Sequence, residues 1–258
     1  MTPERRYALD ALLDALGLPF DESAPATPEQ LDEVFGLLTL AHERDAELDQ
    51  HGRPLPPAEP PGPRVAEIAA EVGERRGYQG GERFLVALTH DIDLLGEGGF
   101  KRAVRRFTQG RFREGSAIVL DELSRRDPAF PDLGPLSTCF FLVRQEAPQD
   151  GYAKRYQPAL ADALAKAQAE GREIGLHASY RARDEEGAIA TEATMLTKAS
   201  PSNSLLLSGL RHHYLRSAPD RLAAELRTAG LRYDSSIAWP SQPGLRAGTP
   251  YPYRLWDP

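Results

Sequence analysis

Polar residues recur in this chain immediately after apolar runs. His90, Asp91 and Asp93 close the run that begins Phe84-Leu-Val-Ala-Leu, and His177 follows Glu173-Ile-Gly-Leu. Arg211, His212 and His213 follow Leu205-Leu-Leu-Ser-Gly-Leu, and Asp234, Ser235 and Ser236 follow Leu231-Arg-Tyr. Asp91 and Asp93 are two positions apart, so on a strand their side chains leave the same face. Two carboxylates held together beside an apolar core repel unless a cation or a shared proton compensates. A metal ion does this, and lets one carboxylate bind while the other acts as a base. The competing reading is a strand end that turns into solvent, with Asp91 or Asp93 as a helix cap. One aspartate and two histidines from separate strands would leave a fourth position open, the pattern of catalytic rather than structural zinc.

Such residues meet only if the apolar runs lie side by side. Strands are expected at 84–89, 137–143, 173–177, 204–210 and 231–235. Helices are expected between them: two pieces in 98–127, then 155–170, 184–199 and 218–229, the last closing at Gly230. Alternation at this spacing predicts an α/β fold of parallel βα units, as an open sheet or a barrel, whose strand ends converge on one face. Residues 1–76 read as helical. Leu9, Leu12, Leu13 and Leu16 form one apolar stripe; Leu31, Val34, Phe35 and Leu38 a second; Val65, Ile68, Ala69 and Val72 a third. Thr2-Pro3 and Thr27-Pro28 are helix starts, and Gln30 completes a capping box with Thr27. Gly52–Arg64 holds six prolines and reads as an extended linker. The expected domains are therefore a helical N-terminal appendage with its linker, 1–63, and a (β/α) domain, 64–258.

Composition narrows the function. A net charge of −7 argues against a general nucleic-acid binder, and a single cysteine, Cys139, excludes a disulfide framework or a cysteine-rich zinc site. No apolar stretch is long enough for a membrane span, and the N-terminus lacks the apolar core of a secretory signal, so a cytoplasmic protein is expected. Segment 101–113 carries Lys101, Arg102, Arg105, Arg106, Arg111 and Arg113, with Phe100, Val104 and Phe107 as an apolar face. It reads as a helix with a solvated basic side, or as a grip for an anionic substrate or surface. His42 and His51 are expected to be exposed.

The motifs, taken in order, resemble those of the polysaccharide deacetylases, the sugar N-deacetylases of NodB homology. Thr89-His-Asp-Ile-Asp93 is similar to the family's first motif in its Asp-x-Asp form. Glu173-Ile-Gly-Leu-His177-Ala-Ser-Tyr180 is similar to the second, whose histidine binds metal. Arg211-His-His-Tyr-Leu-Arg216 stands where the third is expected, and Ala229-Gly-Leu-Arg-Tyr-Asp-Ser-Ser-Ile237 resembles the segment that follows. Ser137-Thr-Cys-Phe-Phe-Leu142 is similar to the second strand, and the likeness covers roughly 83–250. The resemblance implies a distorted (β/α) barrel, a divalent metal such as zinc, and a hydrolase that cleaves a non-peptide C–N bond, typically an N-acetyl group on an amino sugar. It implies Asp93 and His177 as metal ligands, Asp91 as the base that deprotonates the attacking water, and Arg211 as the residue that aims Asp91.

The chain departs from the family pattern in three places. Where the second motif has another histidine, this chain has Arg181, a poor zinc ligand; His213, or failing it His212, is expected as the third ligand. Ile92 separates the two aspartates. No late strand bearing a general-acid histidine precedes Pro258, so His212 or His90 substitutes, or the sequence is a piece of a longer chain, or activity is impaired. Arg246, in the loop-like Gly244–Thr249, is a candidate to hold substrate oxygens or to close the mouth of the site. The expected partner is a carbohydrate or a small amide. The alternatives are hydrolysis of another small C–N bond, or a degenerate barrel that binds carbohydrate or protein without catalysis.

Overall fold

The computed structural model describes residues 1–75, 87–93, 99–124, 137–151, 153–202 and 204–257. Residues 84–86 of the first expected strand fall outside them. Five strands, β1 (Leu88–Ile92), β2 (Ser137–Leu142), β3 (Glu173–Ala178), β4 (Gly209–His212) and β5 (Tyr233–Asp234), form one sheet in the order β1-β2-β3-β4-β5. The pairs β1–β2, β2–β3 and β3–β4 are parallel. The described helices are α1 (Pro3–Ala15), α2 (Pro28–Leu38), α3 (Arg64–Arg75), α4 (Gly99–Thr108), α5 (Phe112–Ser124), α6 (Ala153–Ala169), α7 (Ala188–Ala199) and α8 (Pro219–Ala229). The fold is α/β, and because sequential strands are neighbours, each connection carries the chain one strand along.

The chain divides into two compact units. One comprises Met1–Val86, Tyr214–Thr228 and Asp234–Pro258; the other comprises Ala87–His213 and Ala229–Tyr233. In the first unit the three expected stripes fold onto one another. Leu9, Leu12 and Leu13 of α1, Leu31, Val34 and Leu38 of α2, and Val65, Ile68 and Val72 of α3 share one core, joined by Ala247. At the start of α1 the Thr2 hydroxyl accepts from the Arg5 N–H. At the start of α2 the capping box is complete: the Thr27 hydroxyl accepts from the Gln30 N–H, and the Gln30 side chain accepts from the Thr27 N–H. His42 is exposed, as expected, but His51 is half-buried, its ring tilted against that of Tyr214 at 4.7 Å.

In the second unit the sheet interior is apolar. Phe140, Phe141, Leu142 and Leu176 are fully buried, and α6 and α7 pack on β3. Cys139, in mid-strand on β2, is a buried free thiol, as expected of a small core residue. Two glycines make the sheet fit. A Cβ at Gly175 would lie 2.5 Å from the Phe140 ring and 2.9 Å from the Gly209 carbonyl; one at Gly209 would lie 2.4 Å from the Tyr233 ring. α4 and α5 form a hairpin in which Phe107 and Phe112 meet ring to ring at 6.1 Å. Val104, expected on the apolar face, is exposed.

β4 is displaced from its expectation. The strand runs 209–212, not 204–210. Leu206, in the middle of the leucine run, is 82% exposed, and Ser208 instead offers its carbonyl to the N–H groups of Arg232 and Tyr233. The apolar run alternates, with Leu205 and Leu207 buried and Leu206 exposed, without pairing as a strand; the β pairing falls on Leu210, Arg211 and His212.

Candidate metal centre

All the residues of the site belong to the second unit. β1 ends at Ile92, and Asp93 follows directly. Alternation puts Asp91 and Asp93 on one face, and His90 and Ile92 on the other. β3 delivers His177, whose strand partner on β4 is Arg211. His213 begins the turn that follows β4, and the chain leaves it through two residues in left-handed conformation, Tyr214 (φ 60°) and Leu215 (φ 56°).

Three donor atoms converge. Asp93 Oδ1 lies 3.0 Å from His177 Nε2 and 3.8 Å from His213 Nε2. One ligand atom from each residue lies within 4.8 Å of the others. A tetrahedral ion with bonds of about 2.0–2.1 Å sets its donors roughly 3.3 Å apart, and the 3.0 and 3.8 Å separations from Asp93 fall on either side of that value. Asp93 Oδ1 is buried and finds no partner with hydrogen-bond geometry among the described residues. A buried, unsatisfied carboxylate oxygen facing two imidazoles is what a cation would neutralise. Asp93, His177 and His213 could therefore hold a metal. The choice between His213 and His212 falls to His213; His212 sits on the intervening, opposite-facing position of β4.

Both histidines turn Nε2 inward because Nδ1 is engaged elsewhere. His177 Nδ1 lies 2.9 Å from the Arg211 carbonyl, which can only accept, so it carries the proton. His213 Nδ1 lies 3.1 Å from Asp150 Oδ1. Burial pushes the Asp93 carboxyl up, but its hydrogen-bonding and electrostatic interaction with His177, and more weakly with His213, outweighs it and holds it below the ordinary range.

Beside the donors, the Arg211 guanidinium donates from Nη1 to Asp91 Oδ1 at 2.8 Å. The same guanidinium lies over the Phe140 ring, 4.6 Å from its centroid. Phe140 can occupy that place because Gly175 has no side chain. Asp91 remains about one-third exposed.

Other expectations fare differently. Arg181 is exposed and supplies nothing to the donor set. His90 lies on the face of β1 opposite Asp91, so it is not brought to the donors as a substitute acid. Arg246 is a correction: it is buried in the first unit, its Nε and Nη2 on the two oxygens of Glu43 at 2.8 and 2.7 Å, and so is spent in a structural ion pair. Asp234 closes its own turn by accepting from the Ser236 N–H and hydroxyl. Of the basic segment, Arg105, Arg111 and Arg113 are exposed, and Arg106 and Arg111 pair with Glu114, which is the solvated basic side. Its Lys101 and Arg102 side chains lie outside what the structure describes.

Two buried carboxylates of the second unit escape sequence reasoning. Asp150 lies in the loop after β2, and Glu192 on α7 takes the Ser179 N–H at 2.8 Å and hydroxyl at 2.5 Å. Burial pushes Glu192 up to about 7 against the pull of those donors and of Arg144. The only available signal for Asp150 was its place in a loop beyond a strand end.

No protein-family model matches the chain, and neither a curated protein nor a solved structure matches it. No helix among the described residues is long and apolar enough to cross a membrane.

Proposed function

We propose that the chain is a metal-dependent hydrolase of the polysaccharide deacetylase type, with a (β/α) barrel-like sheet, that removes an acyl group from the nitrogen of an amino sugar. The observation that carries this reading is the Arg211–Asp91 ion pair beside the Asp93, His177 and His213 donors, all at strand ends of one parallel sheet. Zinc suits a donor set of one carboxylate and two imidazoles, with a position left for solvent or substrate. When bound, it would supply Lewis acidity toward the acyl oxygen and lower the pKa of a coordinated water.

Asp91 is the general base. It takes the proton of the attacking water on a carboxylate oxygen, and Arg211 keeps that carboxylate ionised and pointed. The aromatic ring beneath Arg211 limits the guanidinium to one orientation, which suits a group that must aim another. Asp93, His177 and His213 do not exchange protons; they fix the position against which water and the acyl carbon are aligned.

The test is metal content and acetate release. The purified chain is expected to bind one zinc per molecule and to release acetate from N-acetylated sugar oligomers. Asp91→Asn is expected to keep the zinc and lose at least about a hundredfold in kcat, the scale of a missing general base. Zinc binding without acetate release, from sugars or small amides alike, would leave a binding protein and defeat the catalytic reading.

A further inference from the structure

We propose that Asp150 is the positioning residue of this centre: it holds His213 protonated on Nδ1, with Nε2 turned to the metal position. The inference rests on the metal reading above and adds a residue that no motif contains.

Asp150 has a fully buried side chain, and a buried carboxylate is tolerated only when its oxygens are supplied with donors. Three are present. The Ala147 N–H donates to Oδ2 at 3.0 Å, the Tyr180 N–H donates to Oδ1 at 2.7 Å, and His213 Nδ1 lies 3.1 Å from Oδ1. An ionised carboxylate can only accept, so Nδ1 carries the proton and Nε2 keeps its lone pair. His177 has a neutral carbonyl in the equivalent place. The two imidazoles are thus held in the same tautomer by unlike partners, and the anionic one makes His213 the stronger donor.

His213 needs that hold more than His177 does. His177 sits within β3, paired on both sides. His213 lies beyond β4, where no ladder fixes its backbone. A ligand beyond a rigid element is precise only if neighbouring groups lock it. The lock is itself anchored: Glu192 on α7 grips Ser179, and the next residue, Tyr180, gives its N–H to Asp150. A chain of contacts therefore runs from α7 through the end of β3 to Asp150 and His213.

The experiment measures zinc affinity by competition with a chelating dye, for the full chain and for Asp93→Asn and Asp150→Asn. Asp150→Asn is expected to raise the zinc Kd about 10–100-fold, the usual cost of losing such a partner, with unchanged far-UV circular dichroism. A Kd within twofold of the native value, with zinc lost in Asp93→Asn, overturns the role of Asp150 and leaves the metal reading standing. Native affinity in both variants overturns both. A readout independent of any variant is the nitrogen-15 spectrum of the metal-free native protein. His213 is expected in the Nδ1–H tautomer with a downfield proton; the Nε2–H tautomer would overturn the proposal even if Asp150→Asn did not fold.

Discussion

The two units bury charge in opposite ways. In the first, Glu43 and Arg246 meet with both carboxylate oxygens and two guanidinium nitrogens matched, and the Trp239 ring lies beneath the cation at 5.2 Å. In the second, Asp93 faces two imidazole nitrogens, and its buried oxygen is left without a satisfactory partner. The Glu43–Arg246 pair is buried on both sides, whereas Asp93 is partly exposed and buries only Oδ1. The first arrangement is complete in itself. The second could be completed by a cation, and under the reading proposed above that is the physical difference between the two clusters.

The most severe test of this contrast is Arg246→Ala. It removes the guanidinium matched to the buried Glu43 carboxylate and leaves only His42 Nε2, 3.8 Å from Oε1; the expected loss is about 3–5 kcal/mol in urea unfolding, with zinc affinity unchanged. A loss below about 1 kcal/mol would mean that the pair is not the closed structural element described. Replacing both partners with apolar residues should recover much of the deficit, because no orphaned charge then remains.

Glu192 lies between the two cases, being buried and hydrogen-bonded but held protonated to about pH 7. Its folded pKa is above the ordinary 4.5 of the unfolded chain. Between those values the folded state holds a proton that the unfolded state has lost, so stability falls as pH rises from about 4.5 to about 7. The full span is on the order of 3 kcal/mol. Glu192→Gln should flatten that slope in thermal melts of the metal-free protein. An unaltered slope would move Glu192 to the side of the closed pairs.

A smaller effect is expected at Gly175. In Gly175→Ala the new Cβ must displace Phe140 or the Gly209 carbonyl, an overpacking cost of about 1–3 kcal/mol. Because Phe140 underlies Arg211, kcat should fall while zinc affinity stays within twofold. Equal loss of both would show that the Asp91 pair and the metal donors are not separable.

How much of this was legible in the sequence depends on the range of the interaction. The stripes of α1, α2 and α3 and their caps are local, and period and capping chemistry reveal them. Asp91, Asp93 and His177 were legible because each sits at the end of an apolar run in a βα array. His213 follows from the resemblance, whose second motif has a histidine where this chain has Arg181, and from its place two residues past Arg211 on the same face. The Glu43–Arg246 pair joins residues 203 positions apart, so nothing local announces it, and the loop-like context of Arg246 points instead to a substrate group. Asp150 has no periodic or motif context; its partners come from its own loop, the end of β3 and the turn after β4. The leucines at 205–207 pointed to a strand that lies further on, since the polar residues Arg211 and His212 pair in the sheet itself.

The mildest prediction concerns a contact that is wholly local. Thr27 caps α2 with its hydroxyl on the Gln30 N–H, and Gln30 returns the bond to the Thr27 N–H. Thr27→Ala removes one of the two bonds and leaves an N–H of the first turn to water, a cost of about 1 kcal/mol. Gln30 also donates to Glu71 on α3 at 2.8 Å, so its side chain has a second reason to stay in place. If that tether matters, the double variant Thr27→Ala, Glu71→Ala should cost more than the sum of the two single variants. Additive losses would mean that the cap acts alone. In neither case should zinc affinity change, because the bond stabilises a helix whose buried face carries only apolar side chains.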